Sequence, residues 1–139
     1  MPDPPFRYNA PMNVAVIGAG ASGLAAALQA AWSGADVTVF ERNESAGKKL
    51  LVTGSGRCNI TNDAVTAEAY TCADSRWMDT LLAQFGVTEL KSMLAEAGIP
   101  VHKTLDGWYY PLSESAHTVV DALAGALHLA GVTMLTGGQ

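Results

Sequence analysis

The stretch from Asn13 to Glu41 constrains this chain more than any other. An apolar run, Val14-Ala15-Val16-Ile17, leads into Gly18-Ala19-Gly20-Ala21-Ser22-Gly23; an alanine-rich stretch follows, and then a second apolar run that ends at Glu41. A lone G-x-G-x-x-G is a weak signal. Here a predicted strand precedes it, a predicted helix opens from it, and an acidic residue follows Gly23 by 18 positions, which is the context a dinucleotide-binding βαβ unit requires. Gly18 permits the tight strand-to-helix turn, Gly20 lets the backbone approach a pyrophosphate, and Gly23 lets the helix lie close to the strand. The amides of Ala21, Ser22 and Gly23, at the start of the helix, offer donors and a partial positive charge to phosphates.

Glu41 selects among dinucleotides. A carboxylate at the end of the second strand suits the hydroxyls of an adenosine ribose and repels a 2′-phosphate, so NADP is disfavoured while FAD and NAD both stay open. Arg42, the next residue, tempers that exclusion because an arginine can pair with a 2′-phosphate, although a guanidinium lying over the adenine ribose is the favoured use.

At 139 residues, 49% hydrophobic and 15% charged, the chain suits one small α/β domain with a real core. A net charge of −5, with no lysine or arginine run, argues against a nucleic-acid or anionic-membrane surface. Cys58 and Cys72 form neither a C-x-x-C pair nor a zinc pattern, so they read as reduced thiols of a cytoplasmic protein with no metal site. No apolar run approaches the ~20 residues of a membrane helix. Residues 1–12, with four prolines, read as a flexible leader, and 13–139 as the dinucleotide-binding part.

Beyond Glu41 the segment from Asn43 to Asp63 is polar, glycine-rich and too long for an ordinary connection. Amphipathic helices are predicted at 75–84 and 88–97, then a hairpin of 101–104 with 108–110, a helix capped by Ser113 and running through Ala130, and a last strand at 132–135. That last helix and strand form a crossover placing a third parallel strand beside the second. The expected sheet is a partial one, in order 3-2-1. It leaves strand 1 at an open edge, through which the chain is expected either to self-associate or to be complemented by the C-terminal segment that completes such a domain.

A second glycine-rich element, Gly54-Ser55-Gly56-Arg57, offers successive amides and a guanidinium as another anion cradle. Together with Cys58-Asn59, Thr61-Asn62, Gly47, Pro111 and Ser113, it resembles a family of bacterial flavoproteins with two dinucleotide-binding domains, which includes bile-acid-type steroid reductases and aminoacetone oxidases. The resemblance covers the chain from Asn13 and corresponds to the N-terminal third of such proteins. It implies a Rossmann-like FAD-binding fold that is incomplete relative to the family. It also implies FAD as cofactor, with adenosine on the first loop and the second element near the flavin. Gly47, Lys48, Lys49, Gly54, Ser55, Gly56, Arg57, Cys58 and Asn59 are then cofactor-side candidates. Lys48 stands where the family carries arginine, Ser55 where it carries glycine, and Trp108-Tyr109-Tyr110 where it carries Arg-x-Phe.

The implied activity is flavin-dependent oxidoreduction of a small organic substrate, with NAD(P)H as a candidate electron donor. The alternatives are a nucleotide-binding module or fragment without activity of its own and, further off, an NAD-binding regulatory subunit. No side chain stands out as a proton donor, and Cys58 reads as a small packing residue because no histidine adjoins it.

Overall fold

The computed structural model describes residues 12–138, and its chain divides into two compact units. One comprises the described residues through Lys49 together with those from Leu123 onward; the other is Leu50–Ala122. The predicted leader lies outside the described residues except for Met12, whose carbonyl accepts the N–H of Asp36.

The first unit contains β1 (Asn13–Ile17), α1 (Ala21–Trp32), β2 (Asp36–Glu41) and, from the far end of the chain, β6 (Thr133–Thr136). All three strands are parallel, in the order β1-β2-β6, with Ile17 level with Phe40 and Phe40 level with Leu135. This is the expected 3-2-1 arrangement. The period-two alternation of β2 sends Val37, Val39 and Glu41 inward, while Asp36 and Phe40 stay exposed. Leu24, Ala27 and Leu28, spaced for one helix face, are buried on α1, and Leu127 is buried with them in this unit. Each such leucine contributes about 1.5–3 kcal/mol relative to exposure. Among the described residues nothing covers the other face: Ile17 is 81% exposed, and Phe40 and Leu135 continue the apolar row across the sheet.

The second unit holds a kinked 3₁₀ segment (Leu50–Gly56), β3 (Thr61–Asn62), a short 3₁₀ turn (Ala67–Ala69), α2 (Ser75–Gln84), α3 (Val87–Glu96), β4 (Val101–Lys103) and β5 (Trp108–Pro111). β5 is the centre of a small antiparallel sheet, ordered β3-β5-β4. The predicted hairpin is therefore joined by a third strand taken from the long polar segment. Asp74 caps α2 by accepting from the amides of Arg76 and Trp77, and Glu89 reaches back to the Gly86 amide at the start of α3.

The last helix, α4 (Ala116–Leu129), carries the chain from the second unit back into the first. It starts three residues after the predicted Ser113 cap. Glu114 holds φ +54°, a left-handed backbone that cannot continue a right-handed helix, and the Ser113 hydroxyl bonds that of Thr118 instead.

Candidate functional site

The first loop sits between the end of β1 and the start of α1. Gly18 donates its N–H to the Phe40 carbonyl at 2.7 Å, which locks the loop onto β2. A methyl group built on Gly23 would lie 1.9 Å from the Gly18 carbonyl oxygen, so the helix approaches the strand more closely than any side chain allows. At Gly20 the opposite holds: the backbone is ordinary, with φ −78°, and a Cβ there would meet no protein atom within 4 Å. Gly20 is also the N-cap of α1, with no side-chain cap and no acidic residue in the first turn. The helix thus presents uncapped amide donors, including those of Ala21 and Ser22, beside open space, and this is an arrangement suited to a phosphate.

Glu41 is buried, and its carboxylate braces this loop. One oxygen accepts the Ala19 N–H at 2.7 Å; the other accepts the backbone N–H of Asn43 at 2.8 Å and its side-chain amide at 2.6 Å. These bonds, with the Asn43 backbone contribution the largest, hold its carboxyl below the usual range against the opposing effect of burial. Ala19 is gripped from the other side too, because its carbonyl accepts the Gly47 N–H at 2.8 Å. Arg42, Lys48 and Lys49 are exposed, and Lys48 reaches the Asn43 side chain at 3.4 Å. The two residues that knit these candidates together, Ala19 and Asn43, carry no signal in sequence beyond their neighbours.

The second element lies in the other unit. Gly54, Ser55 and Gly56 hold consecutive left-handed backbones (φ 54°, 55° and 85°), and Cys58 another at 61°. The turn closes on itself through Arg57 N–H to the Gly54 carbonyl and Cys58 N–H to the Thr53 carbonyl. Gly54 is irreplaceable on space as well as conformation, since a Cβ there would lie 2.8 Å from the Asn59 nitrogen and 3.2 Å from the Tyr110 ring. Ser55 is exposed. Cys58 is buried, and that burial pushes its thiol up, so it stays protonated and weakly nucleophilic at neutral pH. The Asn59 side-chain oxygen is buried without a hydrogen-bond partner, an orphaned acceptor beside the turn.

Arg57 lies with its guanidinium 4.4 Å from the centre of the Tyr110 ring and 3.2 Å from a Glu114 oxygen. In the aromatic run, Tyr109 donates to Asp63 at 2.8 Å, and Asp63 pairs with Lys103 at 3.0 Å. The Lys103 hydrogen bond, followed by that of Tyr109, lowers the Asp63 carboxyl. Trp108-Tyr109-Tyr110 therefore does structural duty in this sheet and supplies a platform for Arg57. Among the described residues there is no cluster of metal-ligating side chains and no helix long and apolar enough to cross a membrane.

The chain is 40% identical over 126 residues to a 3-dehydro-bile acid delta(4,6)-reductase of Clostridium scindens, an alignment covering 89% of the chain and 31% of the relative. It is 35% identical over 120 residues to a ribosomal RNA dihydrouridine synthase of Haemophilus influenzae, covering 86% and 30%. The chain spans about a third of the length of these relatives. Among solved structures, a 3-ketosteroid-delta4-(5alpha)-dehydrogenase of Rhodococcus jostii shares the fold, with TM-score 0.64, 18% identity, 94% of this chain covered and 38% of that one. Residues 12–139 match the HI0933-like protein Rossmann domain, and the chain belongs to that family.

Proposed function

We propose that this chain is the FAD-binding segment of a flavin-dependent oxidoreductase that reduces a carbon–carbon double bond in a small organic substrate. The observation that carries the reading is the first loop, where an uncapped helix start adjoins open space at Gly20. Gly18, Gly20, Ala21, Ser22 and Gly23 hold the pyrophosphate, while Glu41 fixes the loop and keeps acceptor capacity for a ribose hydroxyl. Arg42 lies on the adenine side. Gly47, Lys48 and Lys49, and the 54–59 turn with its orphaned Asn59 acceptor and its Arg57 donor, serve the flavin half. When bound, FAD supplies hydride transfer, taking a hydride from a donor such as NAD(P)H and passing it to the substrate. The protein's share is orientation and electrostatics, and Cys58, neutral and buried, takes no chemical part.

The names of the two relatives share one transformation, the addition of two hydrogens across a C=C bond. A small molecule is favoured as substrate by the higher identity to the bile-acid reductase and by the net charge of −5, which is unsuited to a polyanion. Reduction of uridine in ribosomal RNA is the second reading, favoured by the 35% identical relative. In the full-length oxidoreductase of which this chain is a segment, flavin absorbance bands bleached by NADH or NADPH and restored by an unsaturated ketone are the expected result. Restoration by ribosomal RNA alone supports the second reading. Retained ADP binding without flavin supports a nucleotide-binding module without its own activity. The bare edge of β1 favours association with a second copy or another polypeptide strand, in a reducing cytoplasmic setting.

A further inference from the structure

Three non-glycine residues among those described hold a left-handed backbone: Ser55, Cys58 and Glu114. Two belong to the second glycine turn. The third is the residue that grips this turn's arginine. Non-glycine residues persist in such conformations where surrounding structure over-determines them, and they concentrate at functional sites. The Glu114 carboxylate is shared between two partners on different parts of the unit. One oxygen lies 3.2 Å from Nη1 of Arg57, and the other is hydrogen-bonded to Nε2 of His102 on β4. His102 thereby fixes the carboxylate, and the carboxylate fixes the guanidinium. Beneath it the Tyr110 ring, itself buried, supplies a flat support 4.4 Å from the guanidinium carbon, and its hydroxyl lies 3.5 Å from Nη2. The Arg57 side chain stays 50% exposed, so part of its five-donor fork remains turned outward. An unrestrained surface arginine samples many rotamers and loses that freedom on meeting a ligand; one held against an aromatic ring and a fixed carboxylate has already lost it.

We propose that Glu114 is a positioning residue for Arg57, presetting the guanidinium so that its outward edge meets a carbonyl or anionic oxygen of the cofactor's flavin half. The proposal rests on the flavin reading of the second turn. Glu114→Gly is the informative variant, because glycine suits φ +54° and the fold is kept while the grip is removed. In the ligand-free protein, nuclear magnetic resonance of the Arg57 guanidinium should show restricted rotation that Glu114→Gly abolishes, with the melting temperature unchanged or raised. FAD titrated by flavin fluorescence should bind about tenfold more weakly to Glu114→Gly and to Arg57→Ala, and the double variant should be no weaker than Arg57→Ala alone. Unchanged Arg57 rotation, wild-type FAD affinity in Glu114→Gly, or additive losses in the double variant would each overturn the proposal. A wild-type chain that binds no more FAD than Gly20→Val would sink the flavin reading itself, and this proposal with it.

Discussion

The Glu41 carboxylate accepts the backbone N–H of Ala19 at 2.7 Å, tying the end of β2 to the middle of the glycine loop across 22 residues. The carboxylate expected to meet a ribose is thus also the brace of the glycine loop. Glu41→Gln keeps the shape but places an amide donor against one of the backbone N–H groups. Its dissociation constant for FAD or ADP should rise about tenfold or more, the scale of one lost charge-assisted hydrogen bond, as measured by calorimetry.

The same brace predicts a pH dependence with a defined sign. Glu41's folded-state carboxyl lies below its ordinary 4.5, so its contribution to stability is fully present above that value and is lost as pH falls through the lower folded value. Melting temperatures of wild type and Glu41→Gln should therefore differ most near neutrality and converge in acid as pH falls through the lowered folded value. A gap that widens in acid would contradict this.

Gly20 and Gly23 should separate binding from folding. Gly20→Val meets open space and costs the fold only about 1 kcal/mol as a poorer N-cap, yet its side chain would fill the space proposed for the phosphate and should abolish dinucleotide binding. Gly23→Ala drives a methyl group into the Gly18 carbonyl and should destabilise by about 1–3 kcal/mol or more in urea unfolding.

Cys58 should resist alkylation. It is buried and protonated, whereas Cys72 is partly exposed, so mass spectrometry after brief iodoacetamide treatment at neutral pH should find Cys72 modified first. Cys58→Ser in the full-length protein should leave turnover intact; loss of turnover with FAD still bound would give the thiol the chemical part denied to it above.

The face and edge of β1 that the described residues leave uncovered should make the chain associate. Its five residues carry no proline, lysine or bulge, and Ile17 is 81% exposed beside Phe40 and Leu135. Size-exclusion chromatography with light scattering should find dimers or larger species, and Ile17→Lys should shift them toward monomer. A wild-type monomer at all concentrations would refute this.

What the sequence determined by itself is what depends on short-range periodicity and on glycine spacing. The βαβ start, the parallel 3-2-1 order, the boundaries of α2 and the hairpin of β4 with β5 all follow from patterns confined to a few turns or strands, because binary patterning and turn chemistry act locally. The start of α4 differs from the predicted one because Glu114 holds a left-handed backbone in a turn that its N–H closes onto the Pro111 carbonyl, and a serine three residues ahead of a helix looks like any cap. Only the tertiary structure revealed that Ala19 is held between Glu41 and Gly47, that Tyr110 supports Arg57, and that the polar segment lends β3 to the second sheet. These contacts join residues from 22 to 53 positions apart, or pass through backbone groups that every residue possesses, so no residue type marks them in the chain.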